Sequence, residues 1–305
     1  MAVIVRDRRE RMLRCLAALL VQDHRAFDIL VIDNCSVDGT AEAVRSRARS
    51  APVPVRVVEM PGSVGRLRNA AVELAGGEVV AFTDSDCAPE PGWLTGGVAA
   101  LAADPRLGVV QGCTLPDEDR PGPWANTQTI TGESLLFECC NIFYRVEAIR
   151  DAAGFDEDPR LSAFGEDTAA GWSVLRRGWR SGYEPAAVVR HDVTYPGLSW
   201  HLARAFRYEV FPKLAGEYPE MRERLFWRRW FLSRRYAAFL AAMSGVLLAP
   251  FWRPALLLGA PYAWFRRPRR LAGADLRGQL EGTLYDVAGF AGLVRGSVRY
   301  RQVVL

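Results

Sequence analysis

The 305-residue sequence predicts a mixed α/β fold, a Rossmann-like and mainly parallel sheet covered by helices, followed by a helical extension. Three observations point there. From Ala2 to about residue 195, apolar runs of strand length alternate with stretches of helical periodicity. Several of those runs stop abruptly at carboxylates, as strands do when they deliver acids to the edge of a wound sheet, where ligands of such folds bind. Residues 236–265, by contrast, are almost wholly apolar and are bounded by arginines.

The elements follow in order. Ala2-Val3-Ile4-Val5 is a first strand, and Arg11 to Val21 places Met12, Cys15, Leu16, Leu19 and Leu20 at helical spacing. Phe27 to Ile32 makes a second strand that ends in Asp33, and Ala41 to Ala48 has helical character. Val53 to Glu59 is a third strand, and Val64 to Ala75 a helix bearing Arg66, Arg68 and Asn69. Then comes Val79-Val80-Ala81-Phe82-Thr83-Asp84-Ser85-Asp86, a buried strand running into two acids at positions i and i+2. In extended chain both face one side, and such hard oxygen ligands suit Mg²⁺ or Mn²⁺ on phosphate oxygens. Two acids in a solvated turn have the same spacing.

A helix is expected around Trp93 to Ala103, a strand over Leu107 to Gly112, a polar surface loop over Pro116 to Pro123 and a strand over Leu135 to Tyr144. Within that last strand, Cys139-Cys140-Asn141 are expected to line the pocket. A short helix follows over Arg145 to Ala153, and Glu166-Asp167 precede an amphipathic helix over Thr168 to Arg177. Acids at a helix N-terminus also complement its dipole. Val188-Val189-Arg190-His191-Asp192 ends another strand on a histidine, a residue that more commonly is buried or solvated than a metal ligand.

Composition narrows the function classes. The net charge is +4, Lys213 is the only lysine, and between Arg222 and Arg270 eleven arginines face a single acid, Glu223. Such asymmetry suits a membrane surface or nucleic acid. The arginines flank an apolar tract instead of forming an open basic face, which argues against nucleic acid. Six cysteines without metal-binding spacing, and no leader peptide before the first strand, set the expectation of a reducing, cytoplasmic environment.

Gln22-Asp23 leading through Phe27–Ile32 to Asp33-Asn34-Cys35-Ser36-Val37-Asp38-Gly39-Thr40 resembles the nucleotide-binding region of family 2 glycosyltransferases, which have the GT-A fold. So does Gly65-Arg66-Leu67-Arg68-Asn69 running on to Asp84-Ser85-Asp86. Gly154-Phe155-Asp156-Glu157, Phe164-Gly165-Glu166-Asp167 and Arg176-Arg177-Gly178-Trp179-Arg180 resemble that family's acceptor-side segment. The resemblance covers roughly residues 2 to 195. It implies donor contacts by Asp33, Asp38, Arg68 and Asp84, the last near the ribose. It implies Mn²⁺ or Mg²⁺ on Asp86 of the DxD motif, with His191 beside the metal or diphosphate. Asp167 is the implied base of an inverting transfer and Glu166 its acceptor-positioning partner, a pair whose roles can exchange. Asp38 and Ser36 also read as caps of the helix near Thr40. The chain departs from the family at Arg6-Asp7-Arg8, where a proline-containing turn is usual, and at Ala169, Ala170 and Ser173. The first strand starts close enough to Met1 to leave room for a longer native N-terminus.

The expected organisation is therefore a GT-A domain over residues 1–200 and a helical region over 201–305. Prolines 250, 254 and 261 divide the apolar 236–265 stretch into pieces too short to span a bilayer. With Arg234, Arg235, Arg266, Arg267, Arg269 and Arg270 at its flanks, it reads as a re-entrant or interfacial hairpin with tryptophans 227, 230, 252 and 264 at headgroup level. A buried hairpin or dimer interface is the alternative. The stripe Leu276, Leu280, Leu284, Val287, Val294 and Val298 is expected to pack back on the protein or lie at the same surface. The function expected is metal-dependent transfer from a nucleotide sugar, UDP-linked by the resemblance, to a glycan, lipid-linked or small-molecule acceptor at the cytoplasmic membrane face. A nucleotidyltransferase of similar fold and a non-catalytic membrane partner are the competing readings.

Overall fold

The computed structural model describes residues 1–24, 26–158, 160–161, 164–267 and 276–305. The chain divides into two compact units, Met1–Tyr195 and Pro196–Leu305. The flanking arginines Arg269 and Arg270 lie outside the described residues, as does the side chain of Leu276.

In the first unit β1 (Ala2–Val5), α1 (Arg9–Leu19), β2 (Ile29–Asp33), α2 (Thr40–Ala48), β3 (Val55–Glu59), α3 (Val64–Leu74) and β4 (Val79–Asp84) alternate as the hydrophobic periodicity predicts. They are followed by β5 (Cys87–Pro89), α4 (Trp93–Ala103), β6 (Leu107–Pro116), β7 (Asn141–Arg145), α5 (Val146–Asp151), α6 (Glu166–Arg176) and β8 (Arg180–His191). The strand order is β3-β2-β1-β4-β7-β6-β8-β5. The first four strands are parallel, β7 runs antiparallel to both β4 and β6, and β8 is parallel to β6. Strands buried on both faces explain why Ile29–Ile32 and Val80–Phe82 read as continuous apolar runs instead of alternating ones. Register places Val5 beside Asp33 and Ile4 beside Asp84, so the C-terminal ends of β1, β2 and β4 open on one edge.

One predicted strand is much shorter than expected. The strand begins only at Asn141 and runs to Arg145, so the first six residues of the Leu135–Tyr144 run are not strand. Leu135 and Phe137 take left-handed backbone conformations with φ of 59° and 57°, which a regular strand cannot contain. Helix α6 holds this turn in place: Thr168 Oγ1 donates to Leu136 O at 2.8 Å and Trp172 Nε1 donates to Leu135 O at 3.0 Å. Phe137 packs over Gly171, where a Cβ would come within 2.1 Å of its ring. Asn141 has a structural role. It is buried, accepting from Trp93 Nε1 at 2.8 Å and donating to Cys113 O and Ala187 O, so it ties α4, β6 and β8 together.

The second unit is helical: α7 (Leu198–Phe206), a 3-10 turn (Arg207–Glu209), α8 (Val210–Glu217), α9 (Met221–Arg224), α10 (Arg234–Leu248), a 3-10 stretch (Arg253–Gly259), α11 (Ala260–Arg266) and α12 (Leu276–Tyr300). Buried Asp286 of α12 accepts from Arg235 Nη2 at 2.7 Å and from the Tyr262 hydroxyl at 2.6 Å, joining α10, α11 and α12. The stripe on α12 does not pack back. Leu280, Leu284, Val287, Val294 and Val298 are exposed, while Gly289, Gly292 and Gly296 form the packed side. A Cβ at Gly292 or Gly296 would lie 2.3 Å from the carbonyl of Phe206 or Glu209, a distance only glycine permits. Among the described residues, no helix is long and apolar enough to cross a membrane.

Candidate active site

The edge of the sheet at the ends of β2 and β4 gathers most of the expected side chains. Arg68 is the centre. Asn69, next to it on α3, donates to Phe155 O and accepts from Phe155 N, at 2.9 and 2.7 Å, so the Gly65–Asn69 and Gly154–Glu157 segments interlock. Gly65 permits this approach, since a Cβ there would meet Asp156 O at 2.0 Å. Thus fixed, with Phe155 5.6 Å beneath its guanidinium, Arg68 donates to Glu166 Oε1 at 2.6 Å and lies 3.8 Å from Asp84 Oδ1. One buried cation therefore connects the acid pair after β4 with the acid pair that opens α6.

Those acids occupy different electrostatic settings. Burial raises the Glu166 carboxyl above its ordinary range, with Arg68 opposing the shift, and its Oε2 is buried without a partner among the described residues. Burial, then repulsion from Glu166, pushes Asp167 up to about 8. Asp167 Oδ1 accepts from the Thr168 amide at 2.8 Å. Asp33 is fully buried at the end of β2. Its Oδ1 accepts from Ser36, and Oδ2 has no partner among the described residues, an acceptor that an N–H of a bound base would satisfy. Ser36 thus braces Asp33 and does not cap α2. Asp38 sits differently. Oδ1 takes the Thr40 amide and Oδ2 the Arg9 amide at 3.0 Å, so its carboxylate ties α2 to α1.

A possible metal cluster comprises Asp86, Cys87 and His191. His191 Nε2 lies 3.8 Å from Asp86 Oδ1, too far for a hydrogen bond but suited to two ligands sharing one ion at about 2.1 Å from each. His191 Nδ1 faces the Asp192 carbonyl at 2.9 Å, and a proton placed there leaves the Nε2 lone pair toward Asp86. Cys87 fits less well. Burial drives its thiol well above the normal range, and sulfur is a poor match for Mg²⁺ or Mn²⁺.

Sequence reasoning missed a group of charges here. Arg8 Nη1 is 2.7 Å from Asp86 Oδ2, Arg11 contacts both Asp86 and Asp192, and Arg14 reaches Asp192 at 2.6 Å. The signal available was their i, i+3, i+6 spacing, which puts all three on one side of α1. A cavity of about 590 Å³ lined by Met1, Leu30, Arg56 and Val79 opens at the opposite ends of these strands and takes no part in the cluster.

Comparison with known proteins agrees with this picture. Residues 1–157 match the profile described as glycosyl transferase family 2. A pre-mycofactocin glycosyltransferase of Mycobacterium tuberculosis is 29% identical over 222 residues, covering 66% of this chain and 45% of that protein. Glycosyltransferase AglE of Haloferax volcanii is 32% identical over 210 residues, covering 65% and 64%. The chain therefore spans less than two thirds of the length of these relatives. Among solved structures, a mannosyltransferase PcManGT from Pyrobaculum calidifontis in complex with GDP-Man and Mn²⁺ superposes with a TM-score of 0.62 at 22% identity, covering 98% of this chain and 86% of that one. S. aureus TarS 1–349 in complex with UDP-GlcNAc gives 0.54 at 18%, covering 99% and 91%. At such identities the likeness is one of fold, GT-A.

Proposed function

The chain belongs to glycosyl transferase family 2, and from that premise we propose that it is an inverting, divalent-metal-dependent transferase moving a sugar from a nucleotide donor, UDP-linked by resemblance, to a hydroxyl acceptor at the cytoplasmic membrane face. The observation that carries this is the convergence on Arg68 of Asp84 from the DxD segment and Glu166 from the acid pair of α6. A site for displacing a nucleoside diphosphate needs both kinds of acid within one sugar's reach.

Asp33 Oδ2 takes an N–H of the base, and Asp84 lies toward the ribose. Asp86 and His191 would hold Mn²⁺ or Mg²⁺, and the ion would stabilise negative charge on the departing diphosphate without proton transfer. Arg68 holds Glu166 in place and opposes the effect of its burial. Asp167 Oδ2 takes the proton from the acceptor hydroxyl as its oxygen attacks the anomeric carbon from the face opposite the diphosphate. Asp38 supports the nucleoside indirectly, through the α1–α2 connection.

The second unit supports membrane contact of the interfacial kind. Phe251, Trp252 and Leu257 are 89%, 61% and 74% exposed, and the Arg267 guanidinium stacks 3.5 Å from the Trp264 ring. An apolar surface with tryptophans and arginines at its margin suits the headgroup layer.

The direct test is calorimetry with Mn²⁺ and separately with UDP and GDP. Asp86→Ala is expected to abolish metal-dependent nucleotide binding. Unaltered Mn²⁺-dependent binding in that variant would remove the metal assignment, and preference for GDP would replace the UDP assignment.

A further inference from the structure

The arginines of α1 break a local rule. Arg8, Arg9 and Arg11 stand at the N-terminal end of a helix, where the dipole is positive and cations are unfavourable. The Arg8 and Arg14 side chains are 44% and 60% exposed, so water screens the ion pairs they make. What the placement does achieve is a dense positive face beside the metal-binding acids. Asp86, only 16% exposed, is held by Arg8 at one carboxylate oxygen, Oδ2, 2.7 Å away, while its Oδ1 faces His191.

Charge balance shows what this face is suited to hold. Arg8, Arg11 and Arg14 against Asp86 and Asp192 leave one positive charge. A divalent ion on Asp86 would add positive charge there, which favours a released nucleoside diphosphate over the less charged sugar donor. The guanidinium fork pairs with two phosphate oxygens as readily as with a carboxylate.

We propose that Arg8 and Arg11 are a second, protein-borne cationic grip on the diphosphate. Without donor they hold Asp86 and Asp192. When Asp86 takes the divalent ion, the two guanidinium groups turn to the diphosphate and neutralise charge as it leaves. Metal and nucleotide binding are thereby coupled, since the ion frees the arginines that the diphosphate needs. The inference rests on the metal-and-donor reading above.

Calorimetry on the whole chain separates the two. In Arg8→Gln, Mn²⁺ alone should bind about fivefold more tightly, because its competitor for Asp86 is gone. UDP in saturating Mn²⁺ should bind about tenfold more weakly, because a charge-assisted contact is lost. UMP, which lacks the second phosphate, should change less than twofold, and the melting temperature should confirm an intact fold. Arg8→Lys, which keeps the charge without the fork, should recover part of the UDP affinity. If Mn²⁺ and UDP affinities in Arg8→Gln equal those of the parent while Asp86→Asn loses Mn²⁺, the arginine grip is overturned and the metal reading survives. Tighter Mn²⁺ with unchanged UDP likewise overturns the grip, leaving Arg8 a lock alone. Parent-like Mn²⁺ and UDP binding in Asp86→Asn overturns the metal reading itself, and the grip with it.

Discussion

The two units depart from ordinary burial in opposite directions. The first hides charge: Asp33, Arg68 and Glu166 are all buried, although such groups belong in water unless paired. The second shows hydrocarbon: Leu247, Phe251, Trp252, Leu257 and Trp264 are exposed on elements where charge would be ordinary. Each departure is unfavourable for an isolated folded chain and becomes favourable once something is bound. Buried acids with open acceptors suit a nucleotide and a hydroxyl, while an apolar margin with arginines suits lipid. The difference teaches that the departures differ in what would satisfy them, and each can be broken separately.

The largest effect is expected at Asp167. Asp167→Asn keeps shape and removes the proposed base, so transfer should fall about 10³-fold with donor binding retained. Burial and Glu166 hold Asp167 at about 8, so in the parent kcat/KM should climb as pH rises toward and through 8, and the variant should lack that limb. The stability sign is opposite. The folded carboxyl titrates at about 8 against an ordinary aspartate value of 3.8, so the folded state binds the extra proton between these values. This contribution is complete below about pH 4 and is lost as pH rises through 8. Asp167→Asn should therefore melt above the parent at pH 9 and not at pH 4. Full transfer activity in the variant would give the role of base to Glu166.

Arg68 tests whether the hidden charge serves chemistry or stability. Arg68→Met leaves Glu166 buried beside no cation and should cost about 3–5 kcal/mol in urea unfolding. Adding Glu166→Leu removes the stranded acid and should restore most of that stability without restoring transfer. A double variant as unstable as the single one would mean that Arg68 acts mainly by bridging α3 to the Gly154–Glu157 segment.

Much of the first unit is legible because its local signals agree. Apolar runs stop at Asp33 and Asp84, and helical spacing resumes after each. Arg68, Asp84 and Glu166 could be named from sequence, yet their meeting depends on Asn69 and Gly65 seating a loop 86 residues away. Arg8 was harder, because its acid is 78 residues distant and an isolated arginine on an amphipathic helix reads as solvated. The Leu135–Cys140 run has strand composition, but contacts from Thr168 and Trp172 on a later helix impose a turn. On α12 the apolar spacing marks the exposed side, one of the two alternatives it left open. Gly282, Gly289 and Gly296 recur every seven residues, and that period marks the close-packed face.

The smallest effect is expected on the exposed apolar surface, where individual side chains contribute separately. If Phe251 and Leu257 enter the headgroup layer, each should contribute about 1.5–3 kcal/mol to partitioning, the ordinary value for removing such a side chain from water. Phe251→Glu and Leu257→Glu should each weaken flotation with vesicles containing anionic lipid about tenfold or more, and together more than either. Folding should be untouched, since both side chains already face solvent. High salt should weaken binding of parent and variants alike through the arginines, whereas the difference between them should survive salt because it is apolar. Equal flotation of parent and double variant, with the parent forming dimers that the variant does not, would assign this surface to a second copy of the chain. It would also remove the contrast between the units, because the exposed hydrocarbon would then be an ordinary protein interface seen without its partner.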